Sequence, residues 1–381
     1  MLYFNHAATS FPKPESVYRK MDIFYREVGL TPGRSGHAKA LEAAAEISRT
    51  RKKISDFFHA PKPEQVVFSF NATDALNIAV HGILSSGDEV VTTVMEHNSV
   101  SRPIRHAARE LGLKVTWLEP VNGVIRPEDV RSALNKKTRL VAVTHASNVT
   151  GQIQPIDEIG KTVGEHSSAA FLVDAAQTAG LLPIDVMKNR IGLLAFTGHK
   201  SLYGPTGIGG LIVSPEFSLR PFRTGGSGVN SEEDYQPDEM PYRLEAGTEN
   251  LIGIAGLSAA LDFILGTGMQ KIRSHDLGLK TLLLEGLKNI KGINIFTPEG
   301  ESALNVVSFT VKDLPPSEAA AILESEFDIA LRAGLHCAPG MHRHLGTFPE
   351  GTVRLSTGFF NTEEEVRSVV SAVEEVVKSI W

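Results

Sequence analysis

Between about residue 60 and residue 213 the chain alternates short β-branched runs with amphipathic stretches, a pattern that few folds accommodate. Residues 65–70 (QVVFSF) read as a strand, and residues 73–84 then place Leu76, Ala79, Val80 and Ile83 at helical spacing. Further strands read at 89–94, 114–118, 138–144, 170–174, 193–197 and 209–213, with helices at 101–111, 127–134 and 157–165 between them. Strands separated by helices imply βαβ crossovers, hence an α/β fold with a large, doubly wound, mostly parallel sheet covered on both faces. After Asn250 the texture changes to long helical patterns at 251–266, 274–290, 316–326 and 362–379 around short strands such as 303–309. This predicts a second, smaller α+β domain. The expected division is a large domain over 15–250 and a small one made of 1–14 with 251–381.

A chain of 381 residues buries enough surface for two such domains. Its net charge of −6 argues against nucleic acid or an anionic membrane surface as the main partner. The start, MLYFNHAATSFPKP, has no basic stretch followed by an apolar run, and the most apolar segment, 251–268, is broken by Ser258 and Asp262. One cysteine, Cys337, excludes a disulfide within the chain and suits a reducing, cytoplasmic setting. On its own it reads as readily as an inert small hydrophobe.

Ligands of open parallel sheets bind at the carboxyl ends of the strands. Polar residues gather there: Asn71-Ala72-Thr73-Asp74 after the first strand, Glu96-His97-Asn98 after the second, Ser147-Asn148, Asp174 with Gln177, and Thr197-Gly198-His199-Lys200. Taken singly, an Asp at a strand end is often a turn residue, Arg354 reads equally as a surface arginine, and Thr248 equally as the N-cap of the helix near 251.

The segment 197–209 (TGHKSLYGPTGIG) resembles the Schiff-base motif of class-V aminotransferase-fold enzymes that use pyridoxal 5′-phosphate (PLP), and more narrowly that of the cysteine desulfurase and selenocysteine lyase family. The resemblance runs in order through NHAATSFPKP, GRSGH at 33–37, MEHNSV at 95–100, HASNVTG at 145–151, VDAAQ at 173–177, LEAGTEN at 244–250, RAGLHCAPG at 332–340 and GTVRLSTGFFNT at 351–362. It implies the PLP-dependent transferase fold of type I.

The resemblance also implies roles. Lys200 would carry PLP as a Schiff base and move the Cα proton. Asp174 would keep the pyridine nitrogen protonated, with Gln177 and Asn148 along the phenolic edge and His97 stacked on the ring. Ala72, Thr73, Thr197 and His199 would hold the phosphate, joined by Thr248 from the other subunit of a homodimer. The commoner family pattern has Gly where Asn71 stands; Asn tolerates left-handed backbone, so the turn is expected to survive. Arg354, with Asn148, would clamp a substrate carboxylate.

Cys337 matches the persulfide-forming cysteine, with Arg332 and His336 close enough to favour a thiolate. Only 16 residues lie between Cys337 and Arg354, which resembles the short-loop branch and implies a sulfur-acceptor protein. The expected reaction takes L-cysteine to L-alanine and leaves a persulfide for sulfur transfer. The alternatives are a selenocysteine lyase, another class-V aminotransferase or epimerase, or a PLP-binding sulfur-transfer scaffold with little turnover. His336, Cys337, His342 and His344 could be read as zinc ligands, but their spacing matches no established metal signature, so no metal is expected.

Overall fold

The computed structural model describes residues 1–32 and 37–380; Gly33 to Gly36 of the GRSGH motif, and Trp381, lie outside the described residues. Strands are numbered along the chain: β1 (Leu2–Tyr3), β2 (Val66–Ser69), β3 (Glu89–Thr93), β4 (Lys114–Leu118), β5 (Thr138–Thr144), β6 (Ala170–Asp174), β7 (Leu193–Thr197), β8 (Gly209–Val213), β9 (Ile293–Ile295), β10 (Val306–Val311), β11 (Ile329–Ala330), β12 (Arg332–Gly334) and β13 (Thr352–Ser356).

Seven strands form one sheet in the order β2-β8-β7-β6-β5-β3-β4, parallel except for β8, which runs against both β2 and β7. Alternate residues of each strand feed two separate cores. Phe68, Val91, Val141, Phe171 and Phe196 pack on one face, and Val67, Val90, Leu140, Leu172 and Leu193 on the other. A sheet buried on both faces favours apolar residues at successive positions, which is why its strands read as mainly hydrophobic, β-branched runs.

β12, β13, β10 and β9 form a second, antiparallel sheet, backed by Leu279, Leu283 and Leu287 of the helix Met269–Lys288 and Val366, Val369 and Val373 of the helix Glu363–Ile380. The chain start joins this part, β1 pairing in parallel with β11. Expected and observed elements agree to within a few residues. The two largest differences are the helix expected at 274–290, which begins at Met269, and the strand expected at 303–309, which is Val306–Val311. The helices Glu15–Glu27 and Ala38–Phe57 were not expected; both pack on Leu251–Thr267, a contact no local pattern reveals. Among the described residues no single helix is long and apolar enough to cross a membrane.

The antiparallel return of β8 brings Gly209 against the end of β2. A β-carbon there would stand 2.7 Å from the Phe196 carbonyl oxygen and 2.9 Å from the Asn71 Cα. Gly209→Ala should therefore lower the stability of the cofactor-free protein by about 1–3 kcal/mol in urea denaturation. An unchanged midpoint would mean that the Asn71 turn has room to give.

Candidate active site

The carboxyl ends of β2, β3, β5, β6 and β7 open into one cavity of about 290 Å³. A larger cavity of about 720 Å³, lined by Arg139, Arg190 and Phe217 among others, lies at the opposite ends of the parallel strands and brings together none of the expected residues. Chemistry, not volume, marks the site.

At one end of the smaller cavity is the N-terminus of the helix Ala72–Ile83. Asn71 caps it, its Oδ1 accepting from the Asp74 amide at 3.0 Å, and the amides of Ala72 and Thr73 stay free to face an anion. Asn71 achieves this with extended backbone (φ −174°), not the left-handed conformation expected where the family carries Gly. Thr73 Oγ1 and Ser99 Oγ lie 2.7 Å apart beside the same amides. Two further groups are buried without a protein partner, Thr197 Oγ1 and His199 Nδ1. Free amides and unsatisfied donors around one space fit a phosphate, so these residues fit PLP.

Asp174 ends β6, 6% exposed, with Oδ1 accepting from the Ala176 amide at 2.9 Å. Burial holds its carboxyl above the usual range, while the Ala176 amide and Lys200 draw it back. Lys200 follows β7 and lines the cavity; burial lowers its ammonium to about 8, Asp174 opposing the shift and Arg354 and Arg332 adding to it. His97 caps the helix Asn98–Leu111, its Nδ1 accepting from the Ser99 amide at 3.1 Å, so the neutral ring carries its proton on Nε2. Burial, reinforced by Lys200, keeps His97 neutral down to about pH 3.

Arg354, in the middle of β13, is 1% exposed and among the described residues pairs with no carboxylate. Nη1 donates to the Asn148 carbonyl at 3.0 Å, Nη2 donates to Asn5 Oδ1 at 3.3 Å, and Nε is buried without a partner. The surface reading of this arginine is thereby excluded. A desolvated guanidinium with spare donors, lining the same cavity as Lys200, has the charge and geometry to accept a carboxylate. Asn148 serves it through its backbone; its side chain donates instead to the His336 carbonyl at 2.6 Å, tying down the cysteine turn. Gln177 lines the cavity and donates to the Ala7 carbonyl at 3.1 Å.

Cys337 does not itself line the cavity; it is partly exposed, its Sγ 3.2 Å from Nη2 of Arg332, which does. His336 and Cys337 both have positive φ, 46° and 59°, a strained pair of non-glycine residues that the surrounding hydrogen bonds must enforce. His336 does not assist the thiol as expected. Its Nε2 meets the Thr352 carbonyl oxygen at 3.1 Å, and burial keeps the ring neutral to about pH 2. Among the described residues no group of three His, Cys, Asp or Glu is arranged to hold a metal ion.

Thr248 stands apart from this cavity within its own chain, exposed, and it is not the helix N-cap, a role taken by Asn250, whose Oδ1 accepts from the Gly253 amide. Two contributors were not singled out in the sequence, Ser99 and Ala7; they carry no signal, contributing position more than chemistry. Arg332, expected only as a neighbour of the thiol, lines the cavity as well.

The class-V aminotransferase family model matches residues 2–369. Relatives named probable cysteine desulfurase include one from Pyrococcus abyssi, 36% identical over 100% of this chain and 95% of the relative, and one from Methanothermobacter thermautotrophicus, 33% identical over 97% and 93%. Among solved structures, an apo cysteine desulfurase from Thermococcus onnurineus superposes with a TM-score of 0.92 at 36% identity, covering 99% of this chain and 95% of the other. The Escherichia coli cysteine desulfurase CsdA does so with 0.88 at 30%, covering 99% and 95%.

The buried setting of Lys200 has a direct consequence in the cofactor-free protein. Modification of Lys200 by an amine-selective reagent, followed by mass spectrometry, should rise through a midpoint near pH 8, because the reactive form is the neutral amine. A midpoint at the ordinary lysine value of about 10.4 would contradict the desolvated placement.

Proposed function

The chain belongs to the class-V aminotransferase family, and from that premise we propose that it is a PLP-dependent cysteine desulfurase converting L-cysteine to L-alanine. One observation carries this reading beyond the family. A thiol sits on a strained turn 3.2 Å from Arg332, and Arg332 lines a cavity that also holds Lys200, Asp174 and a carboxylate-free Arg354.

In this reading Ala72, Thr73, Thr197 and His199 hold the cofactor phosphate, Asp174 meets the pyridine nitrogen, Gln177 and Asn148 flank the phenolic edge, and His97 covers the ring. PLP, when bound, supplies the electron sink that makes the substrate Cα–H acidic. Arg354 orients cysteine through its carboxylate, a charge-assisted pair in a desolvated site. Lys200, easily deprotonated there, takes the Cα proton. The Cys337 thiolate then attacks the substrate sulfur: an S–S bond forms, the Cβ–S bond breaks, and the carbon side keeps the electron pair and is protonated to alanine. Cys337 is left as a persulfide for transfer to an acceptor.

The Cys337 turn favours a short-loop enzyme that depends on a sulfur-acceptor protein. Asn98 N donates to the Cys337 carbonyl at 2.7 Å, Asn148 holds the His336 carbonyl, and Gly340 packs so tightly on Val94 that a β-carbon would lie 2.4 Å from its carbonyl oxygen. Such a turn has little reach, so the acceptor must come to it. We also read residues 15–250 as one domain and 1–14 with 251–381 as the other, a division supported by the core around Phe4, Leu283, Val353 and Val369 and by β1 pairing with β11, although the helix Leu251–Thr267 packs into the core of the large sheet. The exposed position of Thr248, away from its own cavity, favours a homodimer in which it serves the partner's site. The lone cysteine suits a cytoplasmic enzyme.

Cys337→Ser should retain the cysteine-induced spectral change yet lose alanine release by orders of magnitude, and persulfide should be found by mass spectrometry on Cys337 of the wild type alone. Normal turnover in the variant would sink the desulfurase reading in favour of another class-V activity; an enzyme faster on selenocysteine than on cysteine would favour the lyase. Arg354→Ala should raise KM for cysteine by the equivalent of about 2–4 kcal/mol, with the Lys200-linked absorbance intact. An unchanged KM would move the carboxylate clamp elsewhere. Reduction with borohydride should fix the cofactor on Lys200 and no other lysine.

A further inference from the structure

The motif Asn5-His6-Ala7-Ala8-Thr9-Ser10 braces the site from behind. Asn5 Oδ1 accepts from Arg354 at 3.3 Å, the Ala7 carbonyl accepts from Gln177 at 3.1 Å, and the Ser10 hydroxyl donates to the Lys200 carbonyl at 2.9 Å. His6 stands between the first two, but it lines a different and much smaller cavity, of about 10 Å³. Its ring meets Tyr3 edge-on at 5.0 Å and covers Gly358, where a β-carbon would lie 2.3 Å from Nδ1.

Four buried atoms around this cavity make no well-formed hydrogen bond: Nδ1 and Nε2 of His6, Oδ1 of Asp276 and Oγ1 of Thr357. The three residues are 7%, 3% and 1% exposed. Asp276 takes one bond, from Asn305 Nδ2 to Oδ2 at 3.1 Å, and has no ion pair among the described residues. Burial drives the Asp276 carboxyl well above the usual range and lowers His6 to about 4, so the imidazole is neutral near pH 7. A neutral imidazole and a hydroxyl each donate and accept, and burial pushes the carboxyl towards the form that can do both, a set that suits a water molecule better than an ion. A space of this size holds about one water, which needs two to four such partners.

We propose that His6, Asp276 and Thr357 hold one buried water, and that this node fixes residues 5–7 so that Arg354 and Gln177 keep their reach into the active-site cavity. His6 is a positioning residue in this account. Its kinetic readout rests on the desulfurase reading; the water does not.

A high-resolution crystal structure of the holoenzyme should show a single water within hydrogen-bonding distance of all three residues. A metal ion there, or a direct His6–Asp276 contact that excludes water, overturns the node. His6→Phe preserves the ring against Tyr3 and Gly358 but removes both polar atoms. It should raise KM for cysteine about tenfold while kcat and the Lys200-linked absorbance hardly change. Asp276→Leu should do the same, and the double variant should be no worse than either, since each breaks one shared unit. A wild-type KM in His6→Phe, or additive losses in the double variant, overturns the positioning role. Should either substitution prevent folding, Thr357→Val is the milder one, expected to lose the water and raise KM. Failure of the wild type to release alanine from cysteine would count against the proposed function and leave the crystallographic test standing.

Discussion

Three distant segments meet at the guanidinium of Arg354. It projects from β13, donates to the backbone after β5 through Asn148, and reaches the chain start through Asn5. A charge so deeply buried without a carboxylate is costly to desolvate, and only fixed carbonyls and amide oxygens make it tolerable. The cost has a use. The guanidinium keeps donors to spare, so a bound carboxylate would restore what folding removed.

The rest of the cavity follows the same electrostatic plan. Lys200, Arg332 and Arg354 converge with Asp174 as the acid lining the space, and burial keeps His97, His199 and His336 neutral. Behind Asp174, Glu96 is buried as well, its Oε1 accepting from Thr93 Oγ1 at 2.7 Å and the Thr144 amide at 3.1 Å. Burial lifts Glu96 to about 8, so it adds a neutral brace between β3 and β5 and no second negative charge. The excess of positive charge would suit a dianionic phosphate and the carboxylate of an amino acid. Neutral imidazoles can accept or give a proton without having to lose one first.

The cysteine turn shows what such a site demands of the backbone. Two consecutive non-glycine residues in left-handed conformation cost on the order of 1–3 kcal/mol each, and are held by bonds from Asn98 and Asn148. Those two residues follow β3 and β5, so the turn is fastened to the same strand ends that carry His97 and the Arg354 anchor. Thiol, ring and clamp therefore keep one frame of reference.

Much of this was readable from residue order alone. Strand and helix periods show up as runs such as TRLVAVT because a sheet covered on both faces favours apolar residues at successive positions, and motifs at strand ends pointed to Lys200, Asp174 and His97 because parallel strands deliver their carboxyl ends to one edge. The ordered set of motifs also identified the family. Local sequence could not tell that Arg354 is buried and carboxylate-free, that the His336 ring faces Thr352 and not the thiol, that Asn71 caps its helix in extended conformation, or that residues 5–10 brace the cavity from behind. Apart from the Asn71 cap, which is local, these depend on contacts between segments up to 349 residues apart, as for Asn5 and Arg354. Burial, and with it protonation and charge, belongs to the packed chain: an arginine or histidine has the same covalent structure everywhere, and only its neighbours decide which form it takes.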